Sequence, residues 1–174
     1  MALMISGVIL LLGALPVWAT VPGDVAAGLP ADKIVANGLG AGMALEAIMT
    51  QALDAGAKAE AVFKAGIAQG ADLSSLFKLF MDKLKYDPNF RGQCTICDLM
   101  KWAKEAGKDP VEIANAVMAA GGDLNDVRNC LASMGVPGAE TYAYSPPGPP
   151  GGPSGVGPTF PGSGGGGGVA SPSM

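Results

Sequence analysis

The chain has 174 residues, of which 49% are apolar and only 6% aromatic, and its 11 basic and 15 acidic residues give a formal net charge of −4. A mildly acidic chain without a basic run is a poor electrostatic match for nucleic acid or an anionic membrane surface, so we expect no nucleic-acid partner. A core poor in aromatic residues favours closely packed helices over a β-sandwich. The composition therefore predicts an all-α protein.

Residues 1–19 have the composition of a cleavable signal peptide. Residues 2–19 carry no charge, and Val17 and Ala19 suit the two cleavage-site positions, which predicts cleavage before Thr20. The alternative is a membrane anchor, but the apolar run is shorter than the roughly 20 residues that a spanning helix needs, and Pro16 interrupts it. One feature departs from the signal-peptide pattern, since no Lys or Arg precedes the apolar core. We expect an exported protein, periplasmic or secreted, with no stable membrane span after cleavage.

Composition divides the mature chain into three parts. A short lead at residues 20–29 precedes a helical body at residues 30–136, and a Pro/Gly/Ser-rich tail follows at residues 137–174. The tail carries no charge after Ser145 and lacks the apolar residues that a packed core requires, so we expect it to be disordered.

The helical body repeats itself. Residues 48–76 align with residues 99–127 at a constant offset of 51, which indicates two related halves at about 43–76 and 94–127. A finer period of 14 residues separates glycines of the kind that end helices in the left-handed conformation. These glycines are Gly42, Gly56 and Gly70 in the first half, and Gly107, Gly121 and Gly135 in the second.

About six short helices follow from these stops and from the residues that can begin a helix. Asp72, Asp109 and Asp123 can each accept hydrogen bonds at a helix N-terminus, and Pro110 suits the first helical position. We expect a small helical-repeat body of stacked hairpins. The helices are predicted at residues 43–55, 58–69, 72–85, 96–106, 109–120 and 123–134.

The predicted third helix has an apolar stripe at three- and four-residue steps, as in a core-facing helix. Leu79 lies off this stripe, and its counterpart at the 51-residue offset is Cys130, so both helices are expected to bury a second edge. The stripe consists of Leu73, Leu76, Phe77, Phe80 and Leu84.

Residues 86–92 form a turn-rich connection between the two halves. This segment holds two aromatic residues, Tyr86 and Phe90, near Pro88 and Gly92. Loops on a rigid scaffold often carry function, which makes Tyr86 and Phe90 a candidate interaction loop. The alternative is that both rings only cover the junction between the halves.

The three cysteines are Cys94, Cys97 and Cys130. In an exported protein they favour a disulfide, most simply between Cys130 and one of the other two, which leaves one thiol over. Cys94 and Cys97 also have the spacing of a redox pair, although no βαβ pattern precedes them. Three thiolates with Asp98 could instead hold zinc. The residues leave these alternatives open.

The sequence contains no histidine, which removes the Ser/His/Asp and Cys/His nucleophilic systems and weakens the common zinc and haem sites. The glycine-rich residues 38–42 lack the lysine of a nucleotide-binding loop, and we interpret them as a flexible turn before the first helix. The sequence therefore predicts a protein that is not an enzyme and has no cofactor, catalytic residue or metal site.

A resemblance rests on the repeated Ala-Gly-x-(Asp or Lys) units, the cysteine pair, the segment Tyr142-Ala143-Tyr144-Ser145-Pro146-Pro147 and the five glycines at 164–168. The chain resembles uncharacterised exported bacterial proteins with short Ala/Gly-rich helical repeats and a Pro/Gly-rich C-terminal tail. This resemblance implies no activity and no site residues.

The leading functional hypothesis is a structural or protein-interaction role, with an unknown protein or a second copy of the chain as partner. The alternative is a thiol-disulfide or metal-thiolate protein that acts through Cys94 and Cys97. A third possibility, a membrane-active toxin, is disfavoured by the acidic charge.

Overall fold

A computed structural model describes residues 20–144, and this part of the chain folds into eight α-helices and one short 3₁₀ helix, without strands. The all-α prediction is confirmed. The helices are α1 (Val21–Ala26), α2 (Ala31–Gly40), α3 (Leu45–Asp54), α4 (Ala59–Ala68), α5 (Leu73–Tyr86), α6 (Ile96–Glu105), α7 (Pro110–Ala119) and α8 (Leu124–Ser133), followed by the 3₁₀ helix Ala139–Thr141. No helix among residues 20–144 is both long and apolar enough to cross a membrane.

The six predicted helices are confirmed as α3 to α8, and each begins and ends within two residues of its predicted bounds. Helices α2, α3 and α4 each contain 10 residues, as do α6, α7 and α8. Helices α2 to α5 begin 14 residues apart along the chain, and so do α6 to α8. The structural unit is therefore one short helix and one four-residue connection.

The 14-residue period comes from glycines that end the helices. Gly56 has a φ of 89°, and its N–H bonds to the carbonyl of Leu53 while the N–H of Ala57 bonds to the carbonyl of Ala52. This pair of bonds is a Schellman cap, which only a residue without a Cβ forms at low cost. All six predicted glycines adopt the left-handed conformation, and Gly28 adds a seventh helix end of the same kind.

The apolar side chains recur at fixed positions of the unit. In every helix from α2 to α8, the fourth residue is aliphatic and at most 3% exposed. The eighth residue of each helix lies on the same face, because it follows the fourth by about one turn. At that eighth position α2 and α4 carry glycines, and a Cβ built on Gly38 would lie 2.6 Å from Ile48 Cγ1. Small residues thus let neighbouring helices approach closely. The fourth-position residues are Ile34, Ile48, Val62, Leu76, Leu99, Ile113 and Val127.

Helices α1 and α2 were not among the predicted elements. α1 lies inside the segment interpreted as a lead, and the flexible turn predicted at residues 38–42 is wrong for Gly38 and Gly40, which belong to α2. Two glycines lower the helix propensity of this segment. Packing outweighs that cost, because Ile34 and Val35 are buried and Gly38 lies against Ile48.

The helices stack so that each contacts the next but one, and all consecutive pairs except α5 and α6 also pack together. The two halves meet where α4 packs on α6 and α5 packs on α7. The ring of Phe63 fills this junction, with ring centroids 5.4 Å from Phe77, 5.1 Å from Phe80 and 6.1 Å from Trp102. The helical repeat therefore forms one continuous core.

The folded body extends past the predicted boundary at residue 137. Ala139 and Tyr142 are at most 1% exposed, the hydroxyl of Tyr142 donates to Asn115 Oδ1 at 2.7 Å, and Arg128 Nε donates to the carbonyl of Tyr142 at 2.9 Å. The assignment of residues 137–144 to a disordered tail is therefore wrong, since these residues pack on α7 and α8. The predicted signal peptide at residues 1–19 and the rest of the predicted tail at residues 145–174 lie outside the described residues.

Candidate functional site

A groove runs between α3 and α5. Its volume is about 200 Å³, its floor is formed by the buried side chains of Met49 and Leu76, and its rim carries the carboxylates of Glu46 and Asp72. An apolar floor with a few charged groups at the edge is the usual build of a binding site. The lining residues are Leu45, Glu46, Met49, Ala71, Asp72, Ser75, Leu76 and Leu79.

The groove lies where two next-but-one helices of the repeat meet. Contact between next-but-one helices brings α3 against α5, and the small Ala71 occupies the connection that leads into α5. Leu79 lies off the core stripe of α5 and lines the groove in a half-buried position, as the sequence predicted for a second apolar edge. Its counterpart Cys130 is 1% exposed, which confirms the second buried edge of α8.

One carboxylate of the rim is held in place by the helix that it caps. Asp72 Oδ2 accepts a hydrogen bond from the backbone N–H of Ser75 at 2.8 Å, as predicted for a residue at this helix start. The hydrogen bonds from Ser75 keep the pKa of Asp72 below its ordinary value. Asp72 therefore carries a negative charge at a fixed position beside the apolar floor.

Cys97 on α6 and Cys130 on α8 form a disulfide, with their Cα atoms 5.1 Å apart. Of the two pairings that the sequence left open, the structure has the one that leaves Cys94 free and buried. Burial and, to a lesser extent, the charge of Asp98 raise the pKa of the Cys94 thiol to about 11. Redox-active cysteines show the opposite shift, toward a thiolate at neutral pH.

Asp98, the carboxylate considered as a zinc ligand, is engaged in a capping box. Its Oδ2 accepts hydrogen bonds from the backbone N–H and the hydroxyl of Thr95, both at 2.8 Å, and the hydroxyl of Thr95 accepts one from the N–H of Asp98. Within residues 20–144 no group of three or more cysteine, aspartate or glutamate side chains is arranged to hold a metal ion.

A second cleft, of about 560 Å³, opens between α6 and the end of α8, beside the disulfide. Cys97 lines it and is exposed, whereas Cys130 is buried beneath it. The other lining residues are Asp98, Lys101, Lys104, Glu105, Ser133 and Met134.

The two aromatic residues of the predicted interaction loop lie in different environments. Phe90 is 2% exposed and packs edge-on against Phe80, with 5.9 Å between the ring centroids. Tyr86 is 69% exposed, and Lys85 Nζ lies 5.0 Å from the centre of its ring. Phe90 therefore covers the junction between the halves, and only Tyr86 presents a ring to solvent.

No protein-family profile, curated protein sequence or solved structure matches this chain.

Proposed function

We propose that this protein is an exported helical-repeat protein without enzymatic activity, which binds another protein in the periplasm or extracellular space. The observation that carries the proposal is the apolar groove between α3 and α5, with its floor at Met49 and Leu76 and its carboxylates at the rim. Stacked repeats are well suited to this role, because each unit adds surface to a continuous rigid face.

Two features of the body support export. Thr20, the residue that follows the predicted cleavage site, is the N-cap of α1, and its Oγ1 accepts a hydrogen bond from the N–H of Gly23 at 3.3 Å. Cleavage before Thr20 would therefore leave every helix of the body intact. The disulfide between Cys97 and Cys130 fits an oxidising compartment outside the cytoplasm.

The size and charge of the groove define the chemistry of its partner. Apolar cavities of about 150 Å³ hold a benzene ring, so a groove of this volume fits one aliphatic or aromatic side chain. The carboxylates of Glu46 and Asp72 favour Lys or Arg next to that side chain. We expect a protein segment that presents an apolar residue flanked by basic residues.

A pull-down from periplasmic extract or culture medium tests the proposal with two matched variants. Leu79→Gln places a polar group in the groove, whereas Leu39→Gln makes the same change at a 38% exposed leucine of α2, away from the groove. We expect a partner that the wild type and Leu39→Gln retain and Leu79→Gln loses. Light scattering of the same proteins detects self-association. A monomer that retains no protein, or that retains the same proteins in all three forms, contradicts the proposal.

The thiol-disulfide or metal-thiolate role through Cys94 and Cys97 stays an alternative, favoured by the exposed position of Cys97 in its cleft. The raised pKa of Cys94 opposes it, because a protonated thiol is a poor nucleophile. Insulin reduction by the purified protein, together with its metal content, distinguishes this role from protein binding.

A further inference from the structure

The disulfide is asymmetric in its access to solvent. Cys97 is exposed and lies on the wall of the cleft between α6 and α8, while Cys130 is 1% exposed and faces the core. Thiol–disulfide exchange depends on which sulfur an attacking thiolate can reach. Because Cys130 is almost fully buried, an external thiol can reach the disulfide only from the side of Cys97.

The charges around the cleft favour the approach of an anionic small molecule. Lys101 and Lys104 follow Cys97 on α6 by one and two turns and line the cleft with it. Of the two carboxylates that line the same cleft, Glu105 is paired with Lys64, with 2.7 Å between Oε2 and Nζ. Asp98 keeps its negative charge, because its hydrogen bonds come from the uncharged Thr95, so the two lysines of the cleft outnumber the one carboxylate that keeps its charge.

The ammonium of Lys104 donates to the carbonyl of Met134 at 2.8 Å, which holds it at the edge of the cleft without neutralising its charge. A carboxylate on an approaching molecule would thus meet two lysines close to Cys97.

We propose that Cys97 is a site of reversible S-thiolation by low-molecular-weight thiols that carry carboxylates, of the glutathione class. The thiolate of the small molecule attacks Sγ of Cys97 and forms a new S–S bond there. The bond between Cys97 and Cys130 breaks, its electron pair stays on the sulfur of Cys130, and that thiolate takes a proton from water. Attack by Cys130 on the mixed disulfide reverses the reaction and releases the small thiol.

Cys94 does not compete as the resolving thiol. It lies in the core at 6% exposure, and its raised pKa keeps it protonated at neutral pH. Modification therefore exchanges one partner of Cys97 for another and leaves Cys94 unchanged, so α8 loses its covalent link to α6 while the small molecule occupies the cleft.

Peptide mapping by mass spectrometry tests the assignment on the native, full-length mature protein. The protein is incubated with reduced glutathione, quenched with acid and alkylated, with a urea-unfolded sample as the reference for unrestricted access. We expect the glutathione adduct on Cys97 and the alkyl group on Cys130 in the native sample. An adduct on Cys130, an equal distribution between the two sulfurs, or an adduct that forms only in the unfolded sample overturns the proposal.

The role of the lysines is tested by the rate of adduct formation. Lys101→Gln removes one charge from the cleft, and Lys78→Gln removes one from the exposed face of α5, where Lys78 pairs with Asp82. We expect Lys101→Gln to slow the reaction of glutathione about two- to fivefold at low salt, a small effect because charges at a protein surface interact weakly in water. The same variant should not slow the reaction of cysteamine, which is cationic. Equal glutathione rates for the two variants would show that the cleft does not select anionic thiols.

Discussion

Single residues set the repeat length, and glycine is the clearest case. Gly56 has a φ of 89° and open space where a Cβ would lie, so a side chain there meets backbone strain and no neighbouring atom. Gly40 also has open space, but it sits in α2 without a positive φ. The two glycines differ in backbone conformation alone, which makes them a matched pair.

Gly56→Ala is therefore expected to lower the free energy of unfolding by about 1 to 2 kcal/mol, because the left-handed conformation is strained for alanine. Gly40→Ala is expected to leave it unchanged or to raise it by up to about 1 kcal/mol, through better helix propensity. Urea unfolding with the disulfide intact measures both. A similar loss for the two variants would mean that Gly56 is not required by its conformation.

The buried thiol of Cys94 should make the stability of the fold depend on pH in the alkaline range. Burial raises its folded-state pKa to about 11 from an ordinary value of 9.0, so above pH 9 the unfolded state releases a proton that the folded state keeps. The free energy of unfolding should be unaffected by this group below pH 9 and should fall as the pH rises from 9 toward 11. Cys94→Ala should remove this decline, as measured by urea unfolding at pH 8, 9 and 10.

Tyr142 provides a check on that experiment. Burial raises its pKa to about 12 from 10.0, so the ionisation of Tyr142 lowers the free energy of unfolding only above pH 10. This effect is the same in the wild type and in Cys94→Ala. If the wild type and Cys94→Ala lost stability in parallel between pH 8 and 10, Cys94 would not be a buried thiol.

At the scale of the elements, the disulfide connects α6 to α8 across a sequence separation of 33 residues. Closing a loop of this length stabilises a fold by about 4 kcal/mol in the chain-entropy model. We expect Cys97→Ser, with Cys130→Ser in the same protein, to lower the free energy of unfolding by about 3 to 4 kcal/mol. Cys94→Ala, which leaves the disulfide in place, is the control near neutral pH. A loss below about 1 kcal/mol would show that the disulfide is not a structural link.

The helices that sequence could predict are those whose ends carry their own signals. α3, α4, α5, α7 and α8 each follow a glycine stop of the 14-residue series. α5, α7 and α8 also begin at the aspartates Asp72, Asp109 and Asp123, whose side chains accept backbone hydrogen bonds, and α6 begins at the capping box of Thr95 and Asp98. α2 begins at Pro30, which makes no side-chain cap, and it contains two glycines. The low helix propensity of its two glycines disfavours this helix, and its packing against α3 and α4 explains why it forms.

The sites were less predictable than the elements, because they depend on contacts distant in sequence. Leu79 and Cys130 stood out from their helical stripes, but the sequence did not show that Leu79 faces α3 or that Cys130 pairs with Cys97 rather than Cys94. Likewise, Tyr86 and Phe90 lie in one predicted loop, and the sequence did not show that Phe90 packs against Phe80 while Tyr86, the last residue of α5, stays exposed.

At the scale of the whole molecule, the repeat joins the short helices of residues 20–144 around one continuous core. Contact between next-but-one helices continues from α1 to α8, so the core passes through the junction of the halves without a break. Lys64 adds a polar link at this junction, since its Nζ lies 2.7 Å from carboxylates of both Glu60 on α4 and Glu105 on α6. A body of this kind can hold the groove at α3 and α5 in a fixed shape, which lowers the entropy lost on binding.

Site-specific photo-crosslinking in the producing cell tests the central claim, that the groove binds another protein, most directly. A photoreactive amino acid replaces Leu79 in the groove or, as the control, Leu39 on α2. We predict a discrete crosslinked species of higher mass from position 79 and not from position 39, with a second protein identified in it by mass spectrometry. The same crosslinks from both positions, or none from position 79, would contradict the account.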